Sequence, residues 1–262
     1  MGAAQAVADY SQVTELSGAR GSRAQLARMC QRYYFAGQYC EGKEVLEIAC
    51  GAGQGLGYLA RRARRVVGVD IDERVLSLAR SHYGSRIEIR QMDGQGLGFP
   101  DQSFDVVVHF EAIYYLQRPD QFASEVRRVL RSGGVLVVCS ANKDLPDFNP
   151  SPFSHRYFGP PELVALLRPH GFAVECFGAD AVGPLSLRGR ALRMLKRAAV
   201  QLDLIPKTMR GKELLKRVVF GSLVELPKEI PDGQPMDRPE PIPAVRPDTE
   251  HRVLFAVARR ID

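Results

Sequence analysis

Between Glu47 and Gly55 the chain reads EIACGAGQG, three glycines behind one carboxylate. Glycine clusters let a backbone approach a ligand closely, and the usual guest is a phosphate. Here the Glu47 carboxylate stands where a phosphate would be repelled. The phosphate-binding patterns also fail on spacing. A G-x-G-x-x-G reading from Gly51 and Gly53 puts Leu56 at its third position, a reading from Gly53 and Gly55 puts Tyr58 there, and no lysine follows for a P-loop. A second carboxylate, Asp70, closes the next apolar run, RVVGVDI. Farther on, HFEAIYYL (109–116) gathers an imidazole, a carboxylate and two phenols.

These groups can act together only if the chain positions them. EVLEIAC, RVVGVDI, RIEIRQM, SFDVVVHF, GGVLVVCS and FAVECFG read as six strands, and HRVLFAVARR near the C-terminus as a seventh. GLGYLARRA, ERVLSLARSHY, PDQFASEVRRVL and PPELVALLRPHGF read as the helices between them, the last with proline at its start and glycine just past its end. Strict alternation predicts a doubly wound, seven-stranded, mostly parallel α/β sheet with helices on both faces. In such a sheet the first strand-to-helix turn is a ligand crevice. Outside this rhythm, residues 1–42 hold a helix around Ala24–Ala36, and residues 184–250 form an insertion before the last strand at 251–262; the core is 43–183. The insertion ends in LPKEIPDGQPMDRPEPIPAVRPDTE, whose proline density predicts an extended arm without regular structure.

An acid on a strand, glycines in the turn and an aspartate ending the next strand is the pattern at which this chain resembles the class I S-adenosylmethionine-dependent methyltransferases. VLEIACGAG is similar to their first motif, VVGVDID to their second, RQMDGQGLGFPDQSFDVVV to their third and fourth, and RRVLRSGGVLVV to their fifth. The likeness runs in order from about Lys43 to Phe177. It implies a Rossmann-like methyltransferase fold and S-adenosyl-L-methionine as cofactor. It also implies roles: Glu47 for the cationic methionine end, Gly51 and Gly53 for close backbone approach, Asp70 for the ribose hydroxyls, Ile71 for one adenine face, and Asp93 with Gly94 for the adenine edge. His109 and Phe110 would border the methionine portion, although the imidazole alone reads as a hydrogen-bonded structural group and Phe110 equally as core. Ala49 replaces the usual first glycine, a change expected to cost little unless the position requires positive φ.

Methyl transfer from a sulfonium needs alignment of donor and acceptor and exclusion of water; a hydroxyl acceptor also wants a base. Glu111 is the first candidate for that base and His155 the second, with Tyr114 and Tyr115 placed for the acceptor. From the N-terminal region, Tyr10, Arg32 and Tyr33 are expected to close the pocket, Arg32 toward the cofactor carboxylate and the two tyrosines toward the acceptor. NPSPF (149–153) is similar to the Asn-Pro-Pro-aromatic motif of amino methyltransferases, but it follows the fifth strand rather than the fourth and is rejected.

Composition narrows the partners. The chain carries a net charge of +6, and about ten basic residues between Pro184 and Gly221 account for roughly +8. The stretch LSLRGRALRMLKRAAVQLDLI in that segment has the spacing expected of a basic amphipathic helix, read as an acceptor lid rather than a membrane-surface helix. Its field would draw an anionic acceptor, phosphorylated, nucleotide-linked or carrier-bound. The five cysteines are scattered without a CxxC pair, which predicts reduced thiols, no metal and a cytoplasmic location. No apolar run is long enough to span a bilayer, and the N-terminus lacks the pattern of a signal peptide. The expected function is methylation of a hydroxyl or amine on a sugar or secondary metabolite. The rivals are an RNA methyltransferase, a nicotinamide oxidoreductase and a non-catalytic cofactor-binding subunit.

Overall fold

Val45, Leu46, Ile48, Val66, Val67 and Val69 are covered from both sides, and runs of this kind form the interior strands of a parallel sheet. The computed structural model describes residues 14–182 and 223–262. Along them lie β1 (Arg20–Ser22), α1 (Arg23–Gly37), β2 (Glu44–Ile48), α2 (Leu56–Ala60), β3 (Arg65–Asp70), α3 (Glu73–Tyr83), β4 (Glu88–Gln91) and β5 (Phe104–Phe110). Then follow α4 (Pro119–Val129), β6 (Leu130–Ala141), α5 (Pro160–Leu167), β7 (Phe172–Ala181), β8 (Leu223–Glu225), β9 (Glu240–Ile242) and β10 (His251–Arg260). The main sheet runs β4-β3-β2-β5-β6-β10-β7-β9. Strands β4 to β6 are parallel, and β10 enters antiparallel between β6 and β7.

The α/β class and the seven expected strands are present, and among the described residues the sheet gains an eighth strand. The eighth, β9, lies inside the proline-rich arm, where no regular structure was expected. Ile242, Pro241 and Glu240 pair with Cys176, Phe177 and Gly178 at the sheet edge. Proline lacks only the donor, so an edge strand tolerates it. Two more short strands, β1 and β8, pair outside the main sheet and went unanticipated, since three residues carry too little periodicity to read. The helix expected over GLGYLARRA is shorter, ending at Ala60.

Helices α1, α2 and α3 cover one sheet face through Met29, Tyr33, Leu56, Tyr58, Leu76 and Tyr83, and α4 with α5 covers the other through Phe122, Val126, Leu163 and Leu167. Ser22 caps α1 by accepting from Gln25 N–H, and Asp72 caps α3 by accepting from Arg74 N–H. The described part of the arm packs along this face against α1, the glycine turn and α3. Ile230 is fully buried and its N–H donates to Gln54 O, while Gln54 Nε2 donates to Pro227 O and Glu229 meets His82 and Arg86. The basic helix expected at 187–205 and Tyr10 lie outside the described residues.

Candidate active site

The carboxyl ends of β2, β3, β4, β5 and β6 open into one cavity of ≈ 1110 Å³. The crossing of helices from one sheet face to the other leaves this edge uncovered, as at the switch point of other open α/β sheets. Helix α1 supplies a wall, so the expected role of the N-terminal region in closing the pocket is matched in position by Arg28, Met29, Arg32 and Tyr33. Residues 223–250 contribute nothing to the lining, so the described part of the insertion does not cover the cavity.

At one end stand the glycine turn and its acids. Gly51 and Gly53 have φ of 55° and 78°, the left-handed region that glycine enters without strain. Ala49 has φ of 61°, so the position does require positive φ and the condition under which alanine would cost little is not met. Asp70 does not cap the following helix. Its Oδ2 accepts from Gly51 N–H at 2.9 Å and its Oδ1 from Asp72 N–H at 2.9 Å, which fastens the glycine turn to β3 and leaves further lone pairs toward the cavity. Ile71, Asp93 and Gly94 line the same end, with Asp93 accepting from Gln95. Gly94 is also needed for packing, because a Cβ there would lie 2.7 Å from Ile48 Cγ2.

Glu47 is 1% exposed, and Tyr33 Oη donates to its Oε1 at 2.7 Å. Its Oε2 is buried without a hydrogen-bond partner among the described residues. Burial with so little compensation pushes the carboxyl up to about 8, against the opposing pull of Tyr33 and Arg32. Tyr33 was expected on the acceptor side; its hydroxyl instead serves Glu47. His109 donates from Nδ1 to Ile48 O, because a carbonyl only accepts, and its ring lies 4.5 Å from Phe122. Burial holds the imidazole neutral down to about 4, so Nε2 is a bare buried acceptor beside the cavity. Phe110 both packs in the core and lines the cavity.

At the other end, Glu111 has φ of 51°, a strained backbone for a non-glycine residue beside a cavity. Tyr114 Oη donates to Glu111 Oε2 at 3.2 Å, and Cys139 Sγ lies 3.8 Å from Oε1. Burial raises the Glu111 carboxyl; Arg32 opposes this and Glu15 adds to it. Arg32, expected toward the cofactor carboxylate, is buried and ion-paired with Glu15. Tyr115 bonds Ser151 Oγ at 2.6 Å, Tyr114 stacks on Tyr157 at 4.1 Å, and His155 reaches the cavity wall from the loop after β6, its N–H donating to Tyr114 O. Glu15, Gln54, Gln95, Cys139 and Arg252 line the cavity without having been anticipated. Topology could have marked Cys139 and Arg252, since the end of β6 and the start of antiparallel β10 meet at this edge.

The buried, half-satisfied Glu47, the turn that presents Gly51 and Gly53, and the Asp70 carboxylate suit a ligand with a cationic group and vicinal hydroxyls, the chemistry of S-adenosylmethionine. The sheet order and its covering helices are those of the Rossmann-like methyltransferase fold. Residues 46–138 match the methyltransferase-domain family. It is 42% identical over 142 residues to a Mycolicibacterium smegmatis protein named "Probable S-adenosylmethionine-dependent methyltransferase", covering 52% of this chain and 54% of that one. It is 39% identical over 113 residues to a fatty-acid O-methyltransferase of the same organism, covering 41% of each. The chain thus spans about half the length, or less, of these curated relatives. An S-adenosylmethionine-dependent methyltransferase structure from Thermotoga maritima superposes with a TM-score of 0.58 at 15% identity, covering 90% of this chain and 92% of that one, a likeness of fold. Among the described residues no helix is long and apolar enough to cross a membrane, and no group of acidic, histidine or cysteine side chains could hold a metal.

Proposed function

We propose that this chain transfers a methyl group from S-adenosyl-L-methionine to a hydroxyl of a small molecule with an apolar body. The observation that carries the reading is the one cavity with Glu47, Gly51 and Asp70 at one end and Glu111 with Tyr114 at the other. The cofactor supplies a methyl group on a sulfonium whose sulfur leaves as a neutral thioether. Glu47 Oε2 would meet its ammonium, Asp70 would accept hydrogen bonds from the ribose hydroxyls, Ile71 would cover adenine, and Asp93 with Gly94 would hold its edge.

Glu111 accepts the acceptor's hydroxyl proton as the oxygen bonds to carbon. A carboxylate with a raised pKa is a competent base near neutrality. Tyr114 orients it, and Arg32 keeps enough positive charge nearby for it to ionise. Tyr115, Leu116 and Phe153 offer apolar walls for the acceptor body, with His155 beside them as a further proton acceptor. An apolar acceptor agrees with the fatty-acid relative and departs from the sugar named in the sequence reading; an amine, which needs only to be neutral, fits the same walls without Glu111 as base. The basic segment that would attract an anionic or carrier-linked acceptor stays an expectation of the sequence.

Calorimetry with S-adenosylhomocysteine tests the cofactor. Asp70→Ala is expected to weaken binding by about 1–2 kcal/mol, the size of lost ribose hydrogen bonds. Binding of NADH in place of S-adenosylhomocysteine would sink the proposal and favour an oxidoreductase.

A further inference from the structure

Helix α1 places Tyr33 over the glycine turn. A Cβ on Gly55 would lie 1.7 Å from the Tyr33 ring, so the turn keeps a glycine there to admit the phenol. The ring meets Phe110 edge-on, with centroids 5.1 Å apart. Held on both sides, its hydroxyl has one partner on Glu47, Oε1 at 2.7 Å, and the other carboxylate oxygen remains bare and buried. We infer that Tyr33 is a positioning residue for the cofactor's cationic end: it fixes the Glu47 carboxylate with one oxygen engaged, presents Oε2 alone to an ammonium, and so ties the N-terminal helix to cofactor binding. The inference rests on the role proposed above for Glu47.

The surroundings of Glu47 make this single donor matter. Facing it are Arg32 and Tyr33 from α1, Cys40 just beyond α1, Cys50 in the turn, Asp70 from β3 and Tyr83 from α3. Arg32 is the one cation among them, and it is engaged by Glu15. Asp70 opposes ionisation, and burial raises the thiols and Tyr83 so that they stay neutral. An arriving ammonium favours the charged carboxylate, so binding near neutral pH releases a proton from Glu47. Removing the phenol's hydrogen bond makes that ionisation harder.

Tyr33→Phe tests this, since it preserves the ring on Gly55 and Phe110 and deletes only the donor. Carboxylate carbon NMR of the cofactor-free protein, with the Glu47 signal assigned from Glu47→Gln, should show the titration midpoint rising by about one pH unit in Tyr33→Phe. Calorimetry should show roughly tenfold weaker S-adenosylhomocysteine binding at neutral pH, with the affinity plateau reached at higher pH. In the Glu47→Gln background Tyr33→Phe should have no further effect on affinity. An unchanged Glu47 midpoint, or an affinity loss that persists in the Glu47→Gln background, would overturn the role of Tyr33 alone. Failure of folded wild type to bind S-adenosylhomocysteine would instead overturn the reading of the cofactor site, and the positioning role with it.

Discussion

Ala49 and Glu111 are both non-glycine residues at positive φ, and both border the cavity. Their strain has different meanings. At Ala49 the turn simply needs a left-handed residue where related motifs use glycine, so Ala49→Gly should relieve the clash of Cβ with the backbone. The gain is offset by glycine's larger unfolded-state entropy; a net stabilisation of about 1 kcal/mol is expected in urea unfolding, and a loss of stability would contradict the strain. At Glu111 the unusual backbone aims a carboxylate. Glu111→Gln should lower kcat by about 10²–10⁴-fold with a hydroxyl acceptor while leaving S-adenosylhomocysteine affinity unchanged. Unaltered turnover would remove Glu111 as the base and favour an amine acceptor.

Helix α1 and the proline-rich arm show how elements outside the sheet complete the site. The arm binds α1 from outside: Gln31 Nε2 donates to Asp237 O at 2.8 Å, and β8 pairs with β1 just before the helix. It also reaches the glycine turn through Gln54. The arm's anchor is Ile230, fully buried between these contacts, so Ile230→Ala should cost about 2–5 kcal/mol of unfolding free energy through lost packing and a residual cavity. If the arm is a brace for the cofactor end, the same variant should also weaken S-adenosylhomocysteine binding; a stability loss with unchanged affinity would make it packing alone. Proline at the arm's edge strand is harmless because its missing donor would face solvent.

Buried titratable groups make the stability of the cofactor-free molecule depend on pH. Glu47 is raised to about 8, so its contribution is fully present below the ordinary glutamate range and is lost as pH rises through about 8. His251 acts in the same direction. It is buried between Asp248 and Glu240, each 2.8 Å from one ring nitrogen, and these partners raise it against the penalty of burial. Its contribution is present below the usual histidine value of about 6.5 and is lost as pH rises through its raised value. His109, lowered to about 4, works oppositely: its contribution is present above about 6.5 and is lost as pH falls toward 4. Urea midpoints should therefore decline as pH rises from about 6.5 to about 8, and Glu47→Gln and His251→Gln should each flatten that decline. A wild-type midpoint that holds constant over this range would contradict the burial of these groups in solution.

The sheet was legible in the chain because strand and helix leave local signatures: apolar runs, glycine punctuation, proline before α5 and capping residues. The glycine turn, Asp70 and Asp93 were marked instead by the resemblance of the ordered motifs, and the structure sets them on one cavity. The neighbours of those residues were not. Tyr33 on Glu47, Arg32 on Glu15, His109 on Ile48 and His251 between two carboxylates join positions far apart in sequence or depend on side-chain direction, which spacing does not encode. The left-handed backbone at Ala49 was hidden as well, because alanine carries no local mark of positive φ. β9 escaped because proline content argues against strands in general, whereas the rule relaxes at an edge, and which strand lies at the edge is settled only when the whole sheet assembles.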